Sequence, residues 1–223
     1  MTRTLFITGA SSGIGAETAR QAVAGGWNVA LMARSREKLT ALAGELGDAA
    51  LAVPGDVTRM DDLDECVGRA VDRFGGLDAA FANAGRGMSR PGTEDGDLDD
   101  IRGMIDLNVT ALVQTARATL PELRKTQGTL VLTGSGAGRR HIAGSIYGAT
   151  KWFVHGYAGN MAEEMREWGG RCCVVAPGMV DTPFFADGAP DKLQPQDVAA
   201  AIMQMIDAPP RANIREIFLM PQD

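Results

Sequence analysis

The sequence has little that could hold a metal. Its 223 residues include three cysteines and two histidines. Cys66 falls in an amphipathic stretch, and Cys172 and Cys173 are neighbours in an apolar run, where successive strand side chains point to opposite faces. No pair has metal-ligand spacing, so core packing is the expected fate of all three. His141 and His155 are too few and too far apart for a zinc site, which leaves any hydride chemistry to an organic cofactor. Excess positive charge is missing as well. A net charge of -6 argues against a nucleic-acid surface or an anionic membrane as partner. No apolar run reaches membrane-span length. Nor does an apolar leader precede the first strand, so no signal peptide and a cytoplasmic location are expected.

What is present is an ordinary globular balance, 45% hydrophobic and 22% charged. That length and balance fit one domain spanning 1–223. Short β-branched or apolar runs at 4–8, 28–33, 49–53, 78–82, 129–133, 171–176 and 215–220 read as strands. Helical patterns fall between them at 14–25, 35–46, 59–74, about 98–125, 145–168 and 195–207. Such alternation predicts an α/β fold: a doubly wound, mostly parallel seven-stranded sheet with helices on both faces. Segments 85–97 and 177–194, rich in Gly, Pro and Asp, follow strands and are candidate walls of a site at the sheet's carboxyl edge.

The first strand runs into Thr8-Gly-Ala-Ser-Ser-Gly-Ile-Gly15 and then a helix. Glycines there allow a sharp turn and let a pyrophosphate approach backbone N–H groups at the positive helix end. At the end of the second strand an acidic residue would bind a free ribose 2′-hydroxyl. Instead Arg34 follows, then Ser35 and Arg36. A guanidinium suits a phosphate monoester, so NADP(H) is expected in preference to NAD(H). Asp56, in Gly55-Asp-Val-Thr58, is placed either to accept from the adenine amino group or to cap the helix beginning near Arg59.

In Ser145-Ile-Tyr-Gly-Ala-Thr-Lys151, the spacing puts Tyr147 and Lys151 on one helix face. A phenol titrates near 10, and a neighbouring ammonium favours its ionised form, which suits it to general acid–base work. Ser135, in Leu132-Thr-Gly-Ser-Gly-Ala-Gly138, would stand at the carboxyl edge, able to orient a carbonyl against that phenol. Asn108 is a poor helix former in the middle of a predicted helix. Its amide either holds a water leading from Lys151 to solvent or makes a kink or a packing hydrogen bond.

Over essentially its whole length the chain resembles the short-chain dehydrogenase/reductases. Thr8-Gly-x-x-x-Gly-x-Gly15 is similar to their cofactor turn, Asn83-Ala-Gly85 to the motif that supports the central sheet, and Asn108, Ser135, Tyr147 and Lys151 to their catalytic tetrad. Pro177-Gly178 with Thr182 resembles the segment that contacts the nicotinamide carboxamide. The resemblance implies a Rossmann-type domain and hydride transfer between NADP(H) and an alcohol or carbonyl, with Tyr147 as general acid/base. It implies cofactor contacts from Gly9, Ser11, Ser12, Gly13, Ile14 and Gly15, from Arg34, Asp56 and Val57, and from Asn83, Ala84 and Gly85. Tyr147, Lys151, Pro177, Gly178, Val180 and Thr182 complete that implied set. Leu193-Gln-Pro-Gln-Asp-Val-Ala199 and the stretch from Pro209 to Ile217 resemble a branch of NADP-dependent 3-hydroxy acid and serine 3-dehydrogenases. Ser135 to Tyr147 is one residue shorter than the family's usual spacing, so the loop 136–146 should take a different path. The segment between Pro183 and Pro195 is short for a substrate lid, so an open pocket is expected. A non-enzymatic dinucleotide-binding sensor or scaffold is the rival, and it would have no need of the four polar residues together.

Arg139, Arg140, His141 and Arg86 are either recognisers of an anionic substrate group or solvated loop residues. Phe184, Phe185 and Met179 either wall the nicotinamide or anchor loops, and His155 reads as a packing or subunit-contact residue. Trp152, Phe153, Val154, Tyr157, Met161 and Met165 give the helix 145–168 more apolar bulk than one sheet-facing stripe requires. Together with the apolar helix 98–125, this predicts a homodimer or homotetramer.

Overall fold

The computed structural model describes residues 2–88, 92–184 and 188–222. Its strands are β1 (Thr4–Thr8), β2 (Asn28–Ala33), β3 (Ala50–Pro54), β4 (Ala79–Ala82), β5 (Thr129–Thr133), β6 (Arg171–Pro177) and β7 (Glu216–Leu219). The helices are α1 (Gly13–Ala24), α2 (Arg36–Leu46), α3 (Met60–Phe74), α4 (Leu98–Ile105), α5 (Ala111–Thr126), α6 (Ile146–Arg166) and α7 (Pro195–Ile206). Every strand pair is parallel, in the order β3-β2-β1-β4-β5-β6-β7. This is the expected Rossmann-like α/β architecture. The chain winds outward from β1 to β3, returns to β4, and winds outward the other way, so the switch point lies between β1 and β4.

Alternation along the strands builds two cores. Phe6, Met32, Leu130 and Cys172 point to the face covered by α3, α5 and α6. Leu5, Ile7, Leu31, Val131 and Cys173 point to the face covered by α1, α2 and α7. The adjacent cysteines therefore serve opposite cores, as free buried thiols. Gly75, in the left-handed region at φ 92, ends α3 and lets its N–H cap the Val71 carbonyl.

One expectation fails. The stretch 98–125 is predicted as a single helix, and a π-helical turn over Asp106–Thr110 divides it into α4 and α5. The cause is Asn108, 1% exposed, whose amide is drawn inward to the loop after β4 and to α6. A helix widened by one residue re-aims that side chain, at the expense of regular helical bonds. Among the described residues no helix is long and apolar enough to cross a membrane.

Candidate active site

The carboxyl ends of β1, β4 and β5 are fastened by one side chain. Asn83 Nδ2 donates to the Thr8 and Gly9 carbonyls at 3.1 and 3.2 Å, and its Oδ1 accepts from the Thr133 hydroxyl at 3.4 Å. Thr8 returns the contact, its hydroxyl oxygen accepting from the N–H groups of Asn83 and Ala84. The glycine turn is packed against this clasp. A Cβ on Gly15 would lie 2.4 Å from the Gly9 carbonyl oxygen, and Gly9 and Gly13 hold φ of 64° and 53°. Ser12 is the α1 N-cap but makes no side-chain cap, and the first turn holds no acidic residue. The start of α1 thus presents free N–H groups and the positive helix end, an arrangement suited to an anion. Thr182 covers it from across the crevice, its methyl 3.0 Å from where a Gly13 Cβ would be.

Arg34 and Arg36 are exposed at the end of β2. Among the described residues neither pairs with a carboxylate. Asp56 Oδ1 accepts from the Thr58 N–H and hydroxyl at 2.9 and 2.8 Å, so its side chain closes the turn before α3. Its own N–H donates to Asp62 at 2.8 Å. That bond, with Arg59 adding to it, holds the Asp62 carboxyl below its ordinary value. Val57 is buried beside it.

Ser145 caps α6 by accepting from the Gly148 N–H at 2.9 Å, which starts the helix one residue before Tyr147. Burial pushes the half-buried phenol up, and a hydrogen bond with the Ser135 hydroxyl pulls it down. Ser135 Oγ also accepts from the Ala137 N–H at 3.1 Å, bending the chain into a 3₁₀ turn over Gly136–Gly138. One helical turn beyond Tyr147, Lys151 is 5% exposed. Its Nζ donates to the Thr133 carbonyl at 2.8 Å and lies 5.7 Å from the centre of the Tyr147 ring. Burial pushes this ammonium down to about 8. Asn108 Nδ2 donates to the Arg86 carbonyl at 2.9 Å and to Thr150 Oγ1 at 3.2 Å, while its Oδ1 accepts from the Arg86 N–H at 2.9 Å. Thr150 in turn donates to the Tyr147 carbonyl at 2.7 Å. A Cβ on Gly85 would stand 3.2 Å from Asn108 Oδ1 and 3.8 Å from Lys151 Nζ.

The short chain dehydrogenase family model matches residues 3–192. The chain belongs to the short-chain dehydrogenases. An uncharacterized oxidoreductase of Staphylococcus aureus (strain MRSA252) is 36% identical over 96% of this chain and 95% of that one. Among solved structures, an alcohol dehydrogenase from the archaeon Thermococcus sibiricus complexed with 5-hydroxy-NADP is similar at TM-score 0.91 and 28% identity, covering 99% of this chain and 97% of that one. Serine dehydrogenase from Escherichia coli is similar at TM-score 0.90 and 28% identity, covering 99% of both chains.

In this short-chain dehydrogenase the chain after Ser135 bends into a 3₁₀ turn over Gly136–Gly138, and the Ser135 side chain is the group that acts against burial on the Tyr147 phenol. Both amide hydrogens of Asn108 are engaged, by the Arg86 carbonyl and by Thr150, and its Oδ1 accepts from the Arg86 N–H with a second lone pair left over. Pro177 ends β6, Gly178 donates to the Leu219 carbonyl at 2.7 Å, and buried Val180 bridges to Leu193, which turns Thr182 toward the glycine loop. Ser11 and Ile14 are half-buried in that loop. Two residues considered for anion recognition are neutralised: Arg86 pairs with Asp100, and Arg139 pairs with Glu216. Arg140 is exposed, and His141 stacks on Trp152 with ring centres 5.5 Å apart. The Phe184 ring stands 5.7 Å from that of Tyr147. Met179 is exposed, and Phe185 lies outside the described residues. Sequence reasoning missed Thr150, although a threonine three residues beyond Tyr147 is spaced to bond back to its carbonyl.

Proposed function

We propose that this chain interconverts a carbonyl compound and its alcohol, using NADP(H), within one dinucleotide-binding and catalytic domain. The observation that carries the reading is the grouping of Tyr147, Ser135 and buried Lys151 beside an uncapped helix start on the same sheet edge. When bound, the nicotinamide supplies or accepts the hydride at the substrate carbon. Ser135 orients the substrate oxygen, and Tyr147 gives its phenolic proton to that oxygen during reduction, or takes the alcohol proton during oxidation. The Lys151 ammonium offsets the cost of phenolate formed in a half-buried setting and would be the group to hold the cofactor ribose. Asn108 and Thr150 hold the Tyr147 turn in register with the loop after β4.

Arg34 supports the choice of NADP(H), being exposed at the end of β2, where it would meet a ribose 2′-phosphate, and without a carboxylate partner among the described residues. Similar structures include serine dehydrogenase complexed with NADP+, which favours the same choice, and a 3-ketoacyl-(acyl-carrier-protein) reductase complexed with NADH. A cytoplasmic location accords with three free thiols. Turnover against a panel of aldehydes, ketones and hydroxy acids, with each cofactor, tests the reading. Tyr147→Phe keeps the ring and removes the proton donor, and should lower turnover by about two to four orders of magnitude while NADPH affinity holds. Near-normal turnover in that variant would sink the mechanism.

Self-association belongs to the same proposal. Val113, Leu120, Pro121, Tyr157 and Met161 line an open hollow of about 750 Å³ between α5 and α6, rimmed by charge of both signs. A second copy, placing its own α5 and α6 there about a two-fold axis, satisfies both the apolar floor and the mixed rim. Light scattering at micromolar concentration should report a dimer or tetramer, and monomer alone would refute this.

A further inference from the structure

His155 lies one turn beyond Lys151 on α6, and the reaction just described makes no use of it. Its side chain is 4% exposed. Nε2 stands 3.4 Å from the Ser135 carbonyl oxygen in hydrogen-bonding geometry. Nδ1 comes within 3.4 Å of Glu216 Oε1 on β7, but makes no hydrogen bond there. The ring is also the floor of the serine loop. A Cβ at Gly134 would meet Nε2 at 3.0 Å, and one at Gly138 would meet Cδ2 at 2.7 Å. Val174 Cγ1 at 2.6 Å and the Lys151 backbone at 2.7 Å crowd the same two positions, so the loop lies flat against β6 and α6 with the imidazole packed between. Arg139, the residue leaving the 3₁₀ turn, reaches Glu216 as well, its Nε 3.1 Å from Oε1. The Ser135 loop is thus held twice, at its exit by Arg139 on Glu216 of β7 and from beneath by the imidazole of α6.

We propose that His155 is a positioning residue for Ser135, donating from Nε2–H to the Ser135 carbonyl and so fixing the backbone from which the serine hydroxyl meets Tyr147. The inference rests on the reading of Ser135 and Tyr147 as the substrate-facing pair. The surroundings favour a neutral ring. Burial acts first against a second proton, Arg139 and Lys151 repel it, and the Ser135 carbonyl and Glu216 attract it, with a net depression. Arg215 and Cys172 complete the charged and titratable groups on the Nδ1 side, lining with Arg139 and Glu216 a cavity of about 190 Å³. A neutral imidazole has one N–H, and the geometry gives it to Nε2.

His155→Leu fills the space without a donor, and His155→Gln keeps an N–H at similar reach. The leucine variant should lose about tenfold in kcat, the usual consequence of one missing hydrogen bond, with NADPH affinity by fluorescence titration unchanged. The glutamine variant should recover most of that loss. In a Ser135→Ala background, His155→Leu should cost less than about twofold, because its effect passes through the serine. The ¹⁵N spectrum of the imidazole at neutral pH, assigned with His141→Gln since the chain has two histidines, should show the Nε2–H tautomer. Unchanged kcat in the leucine variant, additivity with Ser135→Ala, or an Nδ1–H tautomer would each overturn the proposal. Wild-type protein that reduces no carbonyl would instead overturn the reading of the site, and the tautomer would still decide the His155 bond.

Discussion

Lys151 should contribute a stability that rises as the solution becomes alkaline, read against a variant that lacks it. Its ammonium is buried, and the fold pushes it down from 10.5 to about 8. A cation with a depressed folded-state value burdens the fold wherever it must stay protonated. Between these two values the unfolded chain binds more protons, so stability rises with pH across that window. At pH 7 the burden is about 3 kcal/mol, and by pH 9.5 about 2 kcal/mol of it is relieved. Lys151→Met keeps a similar length and removes the titration. It also strips the Thr133 carbonyl of its donor, a cost of about 1–3 kcal/mol that does not change with pH. Burial pushes the thiol of Cys66 up to about 12 and that of Cys173 to about 11, with Cys172 raised as well. These weaken both proteins alike above the usual thiol range, so they cancel in the difference. Urea unfolding of wild type and variant at several pH values gives that difference directly. Wild type should gain about 2 kcal/mol on the variant from pH 7 to 9.5. Parallel curves would mean that Lys151 is solvated, and the mechanism would lose its buried cation.

Two further substitutions examine the cofactor side. Arg34→Asp should reverse the preference for NADPH over NADH, because one charge-assisted phosphate contact is worth about 1.5–3 kcal/mol, or roughly ten- to a hundredfold. Binding titrations with both cofactors check it, and equal affinities in the wild type would count against the assignment. Gly15→Ala places a methyl 2.4 Å from the Gly9 carbonyl oxygen, where only backbone movement makes room. It should lower stability by about 1–3 kcal/mol by urea midpoint and weaken dinucleotide binding along with it.

The features readable in the sequence were those carried by short spacings. The glycine turn, the four-residue step from Tyr147 to Lys151 and the alternation that sets the sheet are local patterns, each fixed by backbone geometry within a turn or strand. Partnerships across the fold were not readable. Asn108 reaches Thr150 across 42 residues, and Arg139 reaches Glu216 across 77. Nothing near either residue announces its partner. The π-helical turn was hidden for the same reason, since the pull on Asn108 comes from the Arg86 backbone 22 residues earlier. Arg86 itself looked free as a bare residue, and only the approach of α4 supplies Asp100 to neutralise it.

The Asn83 clasp has a mechanical meaning. In the proposed reaction the two reacting partners would rest on different strand ends, the cofactor on the turn after β1 and the substrate on the loop after β5, with β4 between them. A single amide bonded to both neighbours makes those three strand ends recoil as one body. On that reading the gap a hydride would cross is governed by the stiffness of a hydrogen-bonded sheet instead of the softer excursions of two independent loops. Loops over the site are left free to vary with the substrate, while the distance that sets the rate stays anchored in the part of the molecule that yields least.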